Sequence, residues 1–260
     1  MRGKLTRLPF CSRATIQLRI SIFALLLVGL AALSSARPVS AAHAHPLIPH
    51  SGGCCQFFVH QATTANTTWN WTDVEAPNPG ITNYNPNAVV VATPRGIYPH
   101  PIGVWYDWST DHWSIFNEDG AAMPEWALFN VFAEDQPSAD STFVHQATTA
   151  NSALDYTDID NPLTNNLPTA KLAVIARSTV GTTSGPPDPH ALGVWYHNGH
   201  WSIFHEDGTP IAKGTYYNVF LDRKTWNTSF VHTATAANSS GSYTCINNAA
   251  LNGNSSAAPW

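Results

Sequence analysis

Two stretches ninety residues apart carry the same alternation of apolar and polar positions: "GVWYDWSTDHWSIFNEDG" from Gly103 to Gly120 and "GVWYHNGHWSIFHEDG" from Gly193 to Gly208. Alternation with a period of two predicts half-buried strands, because successive side chains of an extended chain point to opposite faces. In the second stretch Asn198-Gly199 is the preferred type I′ turn, which pairs Tyr196 with Trp201, Trp195 with Ser202 and Val194 with Ile203. Val194, Tyr196, Trp201 and Ile203 then share the core face, and Trp195, His197, His200, Ser202 and Phe204 the other. The first stretch has two more residues in its turn. An even insertion preserves the alternation, so Val104, Tyr106, Trp113 and Ile115 are expected to face together as well.

The hairpin belongs to a longer repeat. "FVHQATTAN" occurs at Phe58 to Asn66 and unchanged at Phe143 to Asn151, and "FVHTATAAN" follows at Phe230 to Asn238, with spacings of 85 and 87 residues. Each full unit runs from the FVH strand through "TDVE" or "TDID", an apolar strand ("NAVVVAT", "AKLAVIA"), "PHPIG" or "PHALG" and the hairpin to "LFNVFAED" or "YYNVFLD". Helical periodicity of useful length is absent beyond the first residues, and Gly, Pro and Asn punctuate short β-branched and aromatic runs. The fold class is therefore all-β: two tandem small β-sandwich or barrel-like units at 57–135 and 141–223, and a partial third at 228–260. The partial unit lacks the hairpin. Its first strand is expected to dock on the preceding unit as a cap or to close a sheet. "EDQPSADS" from Glu134 to Ser141 and "DRKTWNTS" from Asp222 to Ser229 read as short solvated linkers.

As a set, the FVH strand with its Ala-Thr (Phe58-Val59-His60, Ala62-Thr63), "IGVWY", "WSIFNED" and "FNV" resemble an uncharacterised secreted bacterial tandem-repeat domain of unknown function. The resemblance covers both full units and the first half of the third. It implies export and repetition, and it supplies no functional residues.

The amino terminus changes the charge argument. Arg2, Lys4, Arg7, Arg13 and Arg19 precede an uncharged run from Ile20 to Leu33, followed by small residues, which is the pattern of a signal peptide over 1–42. The run is too short to span a bilayer, and cleavage after Ala41, Ala42 or Ala44 each satisfies the small-residue rule, the first two being favoured. The mature chain is then secreted, begins with a linker over 43–56, and has no further segment for membrane insertion. It keeps six Lys and Arg against seventeen Asp and Glu, a net charge of −11. Such a surface disfavours nucleic acid and anionic lipid as partners. Cys11 leaves with the leader, and Cys245 is expected to bridge to Cys54 or Cys55, closing a loop that stabilises by up to roughly 5 kcal/mol.

Candidate chemistry is sparse. His60, His145 and His232 recur at one strand position and are read as buried imidazoles bonded to a neighbouring Thr or carbonyl, since the truncated unit retains the third. Glu118-Asp119-Gly120 and Glu206-Asp207-Gly208 are read as turns, because adjacent strand residues diverge whereas paired catalytic carboxylates must converge. Asp158 and Asp160, like Asp73 and Glu75, could direct oxygens to one side and hold calcium; no other cofactor is expected. His197 and His200, with His205 further along, could hold zinc or copper, although the first unit has Asp107, His112 and Asn117 there. A terminus starting at His43-Ala44-His45 would be a copper site. Five sequons, at Asn66, Asn70, Asn227, Asn238 and Asn254, matter only in a glycosylating host.

The tryptophans discriminate better. Trp69 and Trp71 are replaced by Leu154 and Tyr156, apolar for apolar, which predicts packing. Trp126 corresponds to Gly214 and Trp108 lies in the turn insertion, which predicts exposure, with Trp105 and Trp195 as possible companions. The leading expectation is a non-catalytic module binding glycans or an extracellular protein through Trp108, Trp126, Trp105 and Trp195. The alternatives are an extracellular hydrolase or metal-dependent oxidase using Glu118 and Glu206 or His197 and His200, and a structural envelope or matrix repeat. No GxSxG elbow or HExxH motif supports the enzyme.

Overall fold

A computed structural model of the chain describes residues 55–77, 81–181, 183–222 and 229–253. The expected signal peptide, most of the 43–56 linker and Cys54 lie outside the described residues, as does most of the 222–229 linker. No described helix is long and apolar enough to cross a membrane. The named elements among the described residues are all strands. The first repeat contributes β1 (Cys55–Gln61), β2 (Thr67–Thr68), β3 (Trp71–Val74), β4 (Val89–Pro94), β5 (Ile102–Asp107), β6 (His112–Asn117) and β7 (Leu128–Glu134). The second contributes β8 (Thr142–Gln146), β9 (Ser152–Ala153), β10 (Tyr156–Ile159), β11 (Leu172–Arg177), β12 (Thr179–Val180), β13 (Thr183–Ser184), β14 (Leu192–His197), β15 (His200–His205) and β16 (Tyr216–Leu221). β17 (Ser239–Ser240) and β18 (Tyr243–Thr244) belong to the partial third.

Each full repeat builds the same two layers. The FNV strand lies between the FVH strand and the apolar strand, in the orders β1-β7-β4 and β8-β16-β11. The hairpin extends through the short strands, in the orders β5-β6-β3-β2 and β14-β15-β10-β9. The hairpin register is the expected one in both copies: Val104 opposes Ile115 and Tyr106 opposes Trp113, as Val194 opposes Ile203 and Tyr196 opposes Trp201. Asn198 and Gly199 both have positive φ, as a type I′ turn requires. Val104, Tyr106, Trp113 and Ile115 are all buried and pack with Phe129 and Val131 of the facing sheet.

The two repeats share a sheet. β5 of the first repeat pairs in parallel with β11 of the second, Gly103 with Ala176 and Val104 with Arg177, so one seven-stranded sheet runs through both. Among the described residues no sheet closes into a barrel. Phe132 and Phe220 meet at 4.5 Å across the same junction, and Asn218 Nδ2 donates to the Val90 carbonyl at 2.7 Å. Glu134 and Ser141 are buried too, with the Ser141 and Thr142 hydroxyls donating to the Glu134 carboxylate, so the ends of the expected solvated linker are stitched into the fold.

Residues His232–Asn252 form a separate compact unit. Among the described residues Phe230-Val231-His232 has no strand assignment, and β17 and β18 pair with each other. β1 and β8 each pair with an FNV strand, and the described third unit has no such strand. Its local contacts survive. His232 bonds Thr244 at 2.9 Å, matching His60 to Thr72 at 2.9 Å and His145 to Thr157 at 2.8 Å. The Oδ1 of Asn66, Asn151 and Asn238 accepts a main-chain N–H three residues earlier at 2.7 Å in every copy.

Arg177 closes the junction. Its guanidinium is buried, lies 4.6 Å from the centre of the Trp113 ring, and donates to the carbonyls of Thr179, Ala88 and Pro86 and to Asn218 Oδ1. Removing it would leave several buried acceptors without donors, at about 1–3 kcal/mol each. Arg177→Met is expected to lower the stability of the two-repeat unit by at least about 3 kcal/mol in urea unfolding; an unchanged midpoint would refute this role.

Candidate functional site

The segment between β13 and β14 reads Pro186-Pro187-Asp188-Pro189-His190-Ala191, and Pro189 biases Asp188 toward extended backbone. β14 starts two residues after His190, and the register sets Leu192 opposite His205, the last residue of β15. The His190 and His205 rings therefore stack, with centres 4.4 Å apart. Asp188 Oδ1 lies 2.9 Å from His205 Nε2. The contact lacks hydrogen-bond alignment, and both atoms are buried with no hydrogen-bond partner among the described residues.

Four further polar atoms of the group are engaged. His205 Nδ1 is 2.7 Å from the Thr209 carbonyl, and His190 Nδ1 is 2.9 Å from Asp207 Oδ2. The Tyr217 hydroxyl donates to Asp188 Oδ2 at 2.6 Å, and the Asp188 N–H donates to Glu118 Oε2 at 3.1 Å. Burial pushes the Tyr217 hydroxyl upward and lifts the Glu118 carboxyl to about 7. The Thr209 N–H, with His190, holds exposed Asp207 down at about 2. Glu118 sits directly over Gly103, where an added Cβ would come within 2.1 Å of Oε1, so any larger residue there would displace the Glu118 carboxylate. Among the described residues, Asp188, His190 and His205 are the one group whose ligand atoms could hold a metal ion, all lying within 4.8 Å of one another. Beside them runs a groove of about 430 Å³ whose walls include Pro94, Tyr98, His100, Ile175 and His190.

Sequence reading missed Asp188 and His190 and placed His205 with other partners. The available signal was internal. Tyr98, His100, Asn117 and Asp119 of the first repeat stand where Asp188, His190, His205 and Asp207 stand in the second. In the first repeat the Tyr98 hydroxyl donates to Asn117 Oδ1 at 2.5 Å, and His100 keeps its carboxylate, Asp119, at 2.7 Å. The Tyr-to-Asp and Asn-to-His exchanges are coupled.

The other candidates are placed apart. His197 and His200 are cross-strand neighbours, yet His197 Nε2 meets Asp158 and Ser202 whereas His200 Nδ1 meets Asn165. Asp158 accepts from Ser202, repeating Asp73 and Ser114, while Asp160 accepts from Asn165. Asp158, His197 and Ser202 contain the residue types of a nucleophilic triad, but the Asp and the Ser share one ring nitrogen, which leaves no relay. Glu118 and Glu206 lie on different turns, and Asp119 and Asp207 cap those turns through the Ala121 and Thr209 N–H groups.

The tryptophans divide differently from expectation at one point. Trp126 and Trp108 are exposed as expected, 62% and 46%, and Trp195 is 47% exposed on the outer face of β14. Trp105 is half-buried against Trp71 at 5.7 Å. Trp69, expected to pack, is 70% exposed, and Leu154 matches it at 76%. Both occupy positive-φ positions, 53° and 52°, in the two-residue loops β2–β3 and β9–β10, so the turn points an apolar side chain outward. The bridge from Cys245 to Cys54 or Cys55 is not shown, since Cys54 lies outside the described residues.

The chain matches the family described as a domain of unknown function (DUF7452) over residues 47–133, 103–221 and 198–260, three overlapping segments that reflect the repetition. No curated protein and no solved structure matches it.

Burial holds the His60 and His145 imidazoles down at about 4, from 6.5. Their stability contribution is complete above pH 6.5 and is lost as pH falls toward 4, because unfolding then takes up protons. Glu118 acts in the opposite sense between about 7 and 4.5. Two groups against one predicts a net fall of the melting temperature between pH 6.5 and 4.5, with a shallower slope in His60→Gln; a flat profile, or an unaltered slope in the variant, would contradict it.

Proposed function

The chain belongs to the DUF7452 family, and from the placement of its tryptophans we propose that it is an exported, non-catalytic module that binds glycans through exposed indole rings. The leader-like segment over 1–42 and the acidic remainder support export and argue against nucleic acid and membrane-surface partners. An indole ring offers a flat apolar face to the faces of a sugar ring, and a duplicated unit multiplies weak contacts.

One observation carries the reading. Trp69 and Trp126 both have positive φ, 53° and 69°, and both are largely exposed. Left-handed backbone costs a bulky residue about 1–2 kcal/mol, and an exposed ring recovers little of that by packing. Strain retained at an exposed position marks a place where the side chain serves something outside the fold. One loop holds both residues: the Met123 N–H donates to the Trp69 carbonyl at 2.7 Å, and the Trp126 N–H donates to the Ala62 carbonyl at 2.9 Å. The second repeat keeps the scaffold and drops the rings. Gly214 donates to Ala147 at 2.8 Å with φ 94°, and Leu154 accepts from Ile211.

The repeat supplies its own substitutions. In an oligosaccharide array followed by calorimetry on the best ligand, Trp126→Gly and Trp69→Leu are each expected to weaken binding at least tenfold. Trp126→Gly should melt at the same temperature or higher, as the left-handed strain is relieved. A parent protein that binds no sugar, or variants that bind as the parent does, would overturn the proposal.

A further inference from the structure

Asp188, His190 and His205 have no part in the tryptophan reading, and we propose that they form a binding site for a divalent first-row transition cation of the zinc type. The argument starts from proton positions. His205 Nδ1 faces the Thr209 carbonyl at 2.7 Å, an acceptor only, so that nitrogen carries the proton. The neutral ring then presents a lone pair at Nε2, 2.9 Å from the Asp188 carboxylate oxygen. Two buried acceptors at that distance repel each other, and a shared cation turns the repulsion into ligation. His190 is prepared in the same way, with Nδ1 on Asp207 and Nε2 left as donor to a metal. Ligating histidines are commonly fixed by a carboxylate or carbonyl on the second nitrogen, and here one of each is present.

The carboxylate is prepared too. Its second oxygen is held by Tyr217 and its main-chain N–H by Glu118, so the ligand set is oriented before an ion arrives. Two ligand atoms 2.9 Å apart, each bonded at about 2.1 Å, subtend roughly 90° at the metal, an angle for five or six ligands with positions left for water. Two imidazoles and one carboxylate suit zinc, cobalt, nickel, copper or iron(II) better than calcium or magnesium, which favour oxygen. His190 also lines the groove, which gives the ion a route from solvent. The first repeat is an internal control: its Tyr98 and Asn117 satisfy each other by a hydrogen bond and provide no such ligand set.

The competing account is an imidazolium–carboxylate pair that needs only a proton. The full chain, stripped with chelator and titrated at pH 7.5, should bind one Zn²⁺ per chain with micromolar or tighter affinity, and Co²⁺ should give a visible absorption band. His190→Ala, at a partly exposed ring, should weaken Zn²⁺ at least tenfold without altering the melting temperature of the metal-free protein. The triple change Asp188→Tyr, His205→Asn, Tyr217→Phe transplants the first repeat's arrangement and should abolish binding in a folded chain. Absence of stoichiometric binding by Zn²⁺, Co²⁺, Ni²⁺ and Cu²⁺, or binding that persists in His190→Ala and Asp188→Asn, would overturn the site. Neither result bears on the tryptophans.

Discussion

The parallel pairing of β5 with β11 is the constraint on which the rest of the molecule depends. A β-strand edge with unmet N–H and C=O groups must be paired, covered or blunted, and here the hairpin edge of one repeat is met by the apolar strand of the next. Ser178 donates to the Val104 carbonyl at 2.9 Å, and Tyr106 donates to Thr179 Oγ1 at 3.0 Å, which extends the ladder beyond its two paired residues. Arg177 then inserts its charge between the repeats and settles it on carbonyls and an indole face. The same junction carries Glu118 from the first repeat to the N–H of Asp188 in the second, so the first repeat buttresses the His/Asp cluster.

The register also distinguishes the two copies of the apolar strand. Register places Pro94 opposite Phe129 and Ala176 opposite Tyr217, so Pro94 is the first repeat's counterpart of the residue that accepts a preceding strand. Proline lacks the N–H that such a strand would use, a recognised way of closing an edge. In the second repeat β14 is a sheet edge, and Trp195 is among its exposed residues. Divergence between the copies is concentrated where the shared scaffold tolerates it: Trp126 for Gly214 at a left-handed turn, and Tyr98 with Asn117 for Asp188 with His205.

What the sequence disclosed follows from the range of each interaction. The hairpin register was legible because a two-residue alternation and an Asn-Gly turn are local signals, and an even insertion leaves the faces unchanged. The role of His60, His145 and His232 was legible because a truncated third copy kept it. The exposure of Trp69 was not, since Trp replaced by Leu reads as packing until the backbone is seen to be left-handed; the two-residue spacing before Asn70 and Asp155 was the available clue. The shared sheet had no local signature, because parallel pairing between residues some seventy positions apart leaves no periodicity. Asp188 and His205 come together only through the Leu192–His205 register, and the pair of exchanges against Tyr98 and Asn117 was the one trace of it in the chain.

Native-state hydrogen exchange on the two-repeat protein tests the junction most directly. If the repeats are one cooperative unit, the amides of Tyr106 and Ser178 exchange only through global unfolding, with the protection of β6 and β16. Exchange of those two amides at loop rates, while the strands on either side stay protected, would show that the repeats fold as neighbours and that the shared sheet does not hold them together.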